Sequence, residues 1–180
     1  ADAVFIWFMI LWGFGTLESI VSTADKGQLV SGLMFFALLA STNEFFSLPF
    51  QIYSTFVIEQ RYGFNRLTVS DFVQDKLKGL VVGAILGALL LSLVLSLMAH
   101  GGTYWWLYAF LGVSVFQLFA AWLYPSVIMP MFNKFTPVDD NLQTDAAALA
   151  ASVKFPLNRV FLMDGSRRST HANAFIVGLI

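Results

Sequence analysis

Residues 79–99 read GLVVGAILGALLLSLVLSLMA, with no charged side chain between Lys78 and His100. A helix of about 20 apolar residues matches the hydrocarbon core of a bilayer, and a run this long has few other stable homes. Three more stretches have a similar character. Residues 103–129 open on Tyr104, Trp105, Trp106 and Tyr108, a cluster suited to a membrane–water interface. Residues 3–21 carry one charge, Glu18, and residues 28–48 carry Asn43 and Glu44. The composition agrees: 58% of residues are hydrophobic and 12% charged, against about 45–50% and 25% in soluble domains. That leaves too little polar surface to cover a water-soluble globule. A net charge of −1 offers no basic footprint, which excludes nucleic acid as a partner. The absence of cysteine excludes a disulfide framework and thiolate metal sites. The chain is predicted to be a mostly α, polytopic membrane protein with about four transmembrane helices.

Four spans place residues 22–27 and 100–102 on one side of the membrane, with Lys26 as their single basic residue. The other side receives loop 49–78, with Arg61, Arg66, Lys76 and Lys78. It also receives the tail, with Lys134, Lys154, Arg159, Arg167 and Arg168. Cytoplasmic loops are the Lys/Arg-rich ones, so loop 49–78 and tail 134–180 are both expected in the cytoplasm. An N-terminal apolar run can be a signal peptide, but the chain starts with no Met, no basic leader and no cleavage-site pattern. A true span in a chain cut at its front is the expectation.

The chain changes character near residue 134, dividing it into a membrane region, 1–133, and the start of a second domain, 134–180. Pro125 and Pro130 break the fourth helix near the surface. Thr136-Pro137 before Asp139-Asp140 signals a helix start, with acidic groups at the positive end of the dipole. Leu142, Ala146, Leu149, Ala150 and Val153 recur at helical spacing, predicting an amphipathic helix over about 139–153 that Pro156 ends. Arg159–Asp164 reads as a strand and Asp164-Gly165 as a turn. Ala172–Leu179 reads as a second strand. The tail is therefore the beginning of an α+β domain with one helix and two strands.

Few residues invite chemistry. Asn43 and Glu44 either face a bundle interior or sit solvated close to the headgroups, five residues before Pro49; Glu18 belongs at the opposite interface. Gly79, Gly83 and Gly87 form a small-residue ridge that permits close helix approach, a packing signal without functional weight. His100, among glycines at a helix end, reads as interfacial. His171 and Asn173 alternate with Ala172 and Ala174, so both would share one face of the second strand. On its own such a pair is more often structural than catalytic. The sequence holds no Ser-His-Asp spacing, no Gly-rich phosphate loop and no H-E-x-x-H.

Four stretches go further: SLPFQIYSTFVIEQRYGFN (47–65), LTVSDFVQDKLKG (67–79), YPSVIMPMFNKFTPV (124–138) and FPLNRVFLMDGSRRSTHANAF (155–175). In this order they resemble the type I CAAX prenyl proteases, integral-membrane zinc metallopeptidases of the gluzincin kind. The likeness covers about 47–180, and the first 46 residues fit by hydropathy alone. It implies that the catalytic H-E-x-x-H helix and the later Glu ligand follow Ile180, and that a further span precedes the first. The chain is then the amino-terminal membrane region of such an enzyme. It would contain no catalytic residue and no metal ligand, and by itself be inactive and without stoichiometric zinc. A His₂Glu site needs three protein ligands, and His100 and His171 are expected on opposite sides of the membrane.

For the whole enzyme the resemblance implies that zinc polarises the scissile carbonyl and activates a water, whose proton the motif Glu takes. It also implies that an extended peptide or protein substrate, in some cases prenylated, adds to an edge strand. That edge would be the strand with Asn173, Ala174 and Phe175, the Asn173 side chain binding a substrate amide or carbonyl. His171 and the Arg167-Arg168 pair would lie at the cleft rim. A water-filled chamber would explain polar Asn43 and Glu44. The expected home is a bacterial inner membrane or the endoplasmic reticulum, and in a bacterium the work could be processing or clearing membrane proteins. A non-enzymatic helical scaffold or binding module is the main alternative. A small transporter is a weaker one, given the αββ tail and the lack of a paired inverted repeat.

Overall fold

The computed structural model describes residues 2–24, 26–170 and 174–176. Four helical rods dominate it. The first comprises α1 (Asp2–Phe8), a π-helical stretch (Met9–Gly13) and α2 (Phe14–Thr23). The second is α3 (Gln28–Tyr53), continued by a π-helical stretch, Ser54–Glu59. The third is α4 (Val69–His100). The fourth runs from α5 (Trp105–Leu123) through a π-helical stretch, Tyr124–Ile128, into α6 (Met129–Phe132). All four are long and apolar enough to cross a membrane.

Two helix boundaries correct the expected loop 49–78. The second rod runs straight through Pro49, which lies inside α3. Proline there takes one N–H from the ladder, but the chain is uncharged from Phe45 to Ile58, and apolar spans tolerate such a loss. At the other end α4 begins at Val69, ten residues before the apolar run. Thr68 is its N-cap, its hydroxyl accepting from the Asp71 amide at 3.1 Å and donating to the Asp71 carboxylate at 2.8 Å. This is an N-cap whose hydroxyl is held by the side chain of the third helical residue. At 32 residues α4 is about 48 Å long, more than the ~30 Å of hydrocarbon, so it extends beyond the apolar run. The non-helical connection shrinks to residues 62–68.

Aromatic side chains seat the first rod on the second: Phe8 meets Phe46 at 5.5 Å between centroids, and Phe14 stacks on Phe35 at 6.3 Å. Among the glycines, Gly32 allows α3 to approach Leu95 of α4. A Cβ there would lie 2.7 Å from Leu95 Cδ1. Gly112 similarly admits Leu93 against α5. The ridge of Gly79, Gly83 and Gly87 has another fate: a Cβ on any of them would meet nothing within 4 Å among the described residues. Among the described residues few apolar side chains are buried, Met9, Leu17, Val21 and Met129 among them, while Val81, Ile85 and Leu89 of α4 are more than half exposed. Such a surface suits a lipid solvent and not water.

After α6 the chain forms β1 (Phe135–Pro137), α7 (Asp140–Ser152) and β2 (Phe161–Met163). β1 and β2 pair antiparallel, with Phe135 opposite Met163 and Pro137 opposite Phe161. The expected helix 139–153 is α7, with Asp139 as N-cap residue, and the expected strand 159–164 is β2. Its partner is β1, a strand not expected from the sequence; the second strand was expected over Ala172–Leu179. Most of that second stretch lies outside the described residues, and 174–176 within it have no regular structure. β1 escaped the sequence reading because Thr136-Pro137 looked like a helix start. Proline tolerates a short edge strand where its missing N–H is not needed.

Candidate functional site

The polar residues of the chain converge where the start of α4, the end of α6, loop 62–68 and residues 164–170 meet. The loop is shaped first by Gly63, at φ +73°, a left-handed conformation that glycine adopts without strain. The Phe64 and Asn65 amides then donate to the Glu59 carbonyl at 2.9 and 3.2 Å. Asn65 is 8% exposed. Its Oδ1 accepts from the Leu67 amide at 2.7 Å, an Asx turn, and its Nδ2 donates to Gln60 at 3.0 Å.

Onto this loop the tail adds a short antiparallel bridge. Asn65 faces Ser169, the Arg66 amide donates to the Arg168 carbonyl at 3.0 Å, and the Thr170 amide donates to the Phe64 carbonyl at 3.0 Å. A second tie joins the exit of α6 to the end of β2. The Lys134 amide donates to Asp164 Oδ1 at 2.9 Å, and the Asp164 amide to the Lys134 carbonyl at 3.1 Å.

Arg168 closes the junction. Its Nε and Nη2 donate to the two oxygens of Asp75 at 2.7 and 3.0 Å, the bidentate geometry a guanidinium is built for. Nη1 donates to Asn133 Oδ1 at 3.0 Å and Nη2 to the Phe132 carbonyl at 2.5 Å. Phe132 is the last residue of α6, so the cation also meets the negative end of that helix. The hydrogen-bonded Asp75 carboxylate raises the Arg168 pKa above its already high ordinary value, and the group stays charged. One turn earlier on α4, Asp71 pairs with Arg167. The two arginines expected at a cleft rim are thus bound to two carboxylates at i and i+4 on one helix face.

A further ionic contact links α3 and α4. Lys76 Nζ lies 2.5 Å from Glu44 Oε1 and donates to Gln51 Oε1 at 2.6 Å. Glu44 Oε1 is occluded and meets the ammonium as an ion pair, outside hydrogen-bonding angles. Glu44 is therefore neither free in solvent nor unpaired. Asn43 lines a cleft of 290 Å³ between the first rod and α3, whose other walls (Phe5, Met9, Phe14 and Leu39 among them) are apolar.

Of the four residues expected to bind substrate, His171 and Asn173 lie outside the described residues. Ala174 and Phe175 are exposed, Phe175 by 49%. The residues that fasten the chain at 167–169, Asp71, Asp75, Asn133 and Asn65, were missed. A usable signal existed: acidic residues four apart just before an apolar run call for cations from elsewhere. Among the described residues no three His, Cys, Asp or Glu side chains gather where they could hold a metal ion. They do not fit a zinc site.

The family model described as CAAX prenyl protease N-terminal, five membrane helices, matches residues 1–134. Among the described residues four such helices are present. The chain is 36% identical to CAAX prenyl protease 1 homolog of Arabidopsis thaliana, over 98% of this chain and 43% of that protein. It is 40% identical to CAAX prenyl protease 1 of Saccharomyces cerevisiae, over 84% of this chain and 34% of the other. The crystal structure of S. mikatae Ste24p superposes with a TM-score of 0.88 at 34% identity, covering 98% of this chain and 42% of Ste24p. The chain thus spans less than half the length of the relatives it matches.

Proposed function

Since this chain belongs to the CAAX prenyl protease N-terminal family, we propose that it is the membrane region of a zinc metalloendopeptidase that cleaves near the C-terminus of prenylated proteins. Zinc and its ligands belong to sequence outside this chain. Within it, the work is to enclose the substrate in the membrane helices and to present His171, Asn173, Ala174 and Phe175 to an extended peptide, main chain to main chain. The supporting observation is that the likeness to Ste24p runs through spans and tail together, over 98% of the chain. On this reading the 134–180 segment is the beginning of the peptidase domain. The junction of loop 62–68 with the tail lies in the cytoplasm, by the excess of Lys and Arg at that end.

The test uses the complete protein in liposomes, a farnesylated C-terminal peptide and its unprenylated twin, with and without a zinc chelator. Cleavage of the farnesylated peptide, abolished by chelation and restored by zinc, is the expected result. Zinc-dependent cleavage indifferent to the farnesyl group, and seen on unfolded membrane proteins, would favour clearance of membrane proteins. A zinc-loaded protein that cleaves neither would leave the scaffold reading.

A further inference from the structure

We propose that an apolar groove on the second rod, walled by Phe45, Leu48, Pro49, Ile52, Tyr53 and Val57, binds the isoprenoid chain of a prenylated substrate. The inference rests on the reading above and deepens it by giving the lipid half of the substrate a seat. Three contacts fix the level of the groove. Lys76 of α4 lies 2.5 Å from Glu44 and donates to Gln51 at 2.6 Å, and Phe56 meets Phe72 edge to face at 5.5 Å between centroids. Residues 44–56 therefore run beside 72–76, within the start of α4 that carries Asp71, Asp75, Lys76 and Lys78 before the apolar run opens at Gly79. Charges this dense belong at or beyond the edge of the hydrocarbon. At the same level the second rod is uncharged from Phe45 to Ile58, and Phe45, Ile52, Tyr53 and Val57 are exposed. An apolar surface that continues past the bilayer edge calls for an apolar occupant.

The shape selects a flexible chain over a helix. The groove holds 490 Å³, within the range of small-molecule sites, about 300–1,000 Å³. Pro49 takes one N–H from the ladder, and the π-helical stretch Ser54–Glu59 follows at once. Together they break the regular ridges on which a partner helix would pack, whereas a hydrocarbon chain has no such requirement. The position suits delivery as well. The same rod runs on into loop 62–68, where the Phe64 carbonyl, Asn65 and the Arg66 amide hold the tail at 168–170. An isoprenoid lying along 45–57, its peptide end toward Val57, brings the peptide to the junction between the membrane helices and the tail.

The experiment uses the complete, zinc-loaded protein in liposomes, a farnesylated peptide, its unprenylated twin, and a farnesylated peptide with a diazirine on the isoprenoid. Photolysis should label residues within 45–57, and a large excess of the plain farnesylated peptide should suppress that label. In Ile52→Asp the ratio of kcat/KM on the farnesylated peptide to that on its twin should fall by about tenfold or more, through KM. An apolar pocket discriminates by about 10- to 200-fold for a single methylene. Ile58→Asp, a charge at the same level outside the groove, should keep the wild-type ratio. Should Ile52→Asp fail to fold, the label on wild-type protein decides alone. Labelling elsewhere, with 45–57 untouched, would mean that another segment of the complete protein covers the groove, and would overturn the proposal. A label that the plain farnesylated peptide does not suppress would mark a surface for bulk lipid and overturn it too, as would a wild-type ratio in folded Ile52→Asp. Zinc-dependent cleavage of both peptides without a label at 45–57 would remove this inference and leave the peptidase reading standing. A suppressible label at 45–57 on protein that cleaves neither peptide would support the groove and refute the peptidase reading.

Discussion

Replacing Arg168 by alanine should release the tail from the membrane helices without disturbing the helices themselves. The substitution removes four donor contacts: two to Asp75, one to Asn133 and one to the Phe132 carbonyl. It leaves Asp75 without its cation. Breaking a fully buried pair costs about 3–5 kcal/mol, and exposed pairs are worth about 0.2–1 kcal/mol. With 24% of each side chain open to solvent, the Arg168 pair lies between, at about 2–3 kcal/mol. At 1.4 kcal/mol per factor of ten, the local opening constant should rise about 30- to 150-fold. Amide hydrogen exchange reads this directly, since it reports local as well as global opening. The informative amides are Arg66, Asp164 and Thr170, each bonded across the junction. They should exchange faster by that factor, while amides in the middle of α4, around Leu89, keep their protection. Unchanged exchange at the three amides would refute the assignment of Arg168 as the closing contact. Equal loosening of α4 would show that the residue supports the whole bundle instead.

Gly32→Leu should lower the unfolding temperature in detergent, since a Cβ there already crowds Leu95 and overpacking costs about 1–3 kcal/mol. Gly83→Leu, with nothing within 4 Å of its Cβ, should leave that temperature unchanged. Thr68→Ala should cost about 1 kcal/mol by removing the N-cap of α4, and Thr68→Ser should restore it, as judged by exchange of the Asp71 amide. In the complete protein, Asn173→Ala should lower kcat/KM on a long peptide while zinc content and thermal stability hold. A neutral hydrogen bond accounts for about 0.5–1.5 kcal/mol of that loss; collapse of the fold would mark the residue as structural.

Hydropathy along the chain determines the class of this protein. The charge-free run from Gly79 to Ala99 has no stable place outside a bilayer, and the period of Leu142, Ala146 and Leu149 announces α7, because both signals are carried by neighbours in sequence. The motifs around 47–79 and 155–175 likewise carry the family. Helix ends were less legible. Pro49 and the charges at 71–78 suggested a loop, yet the helices continue, since a helix supplies its own hydrogen bonds and can extend past the apolar layer. What only the tertiary structure decided is which distant groups meet. Arg168 finds Asp75 across 93 positions and Arg167 finds Asp71 across 96. β1 acquires its partner β2 only after α7 has turned the chain back. The glycine ridge of α4, an evident packing surface by composition, has no described partner, while the isolated Gly32 and Gly112 take the close contacts. A small side chain permits an approach but does not attract one; the neighbouring helices, placed by the fold as a whole, choose which glycines are used.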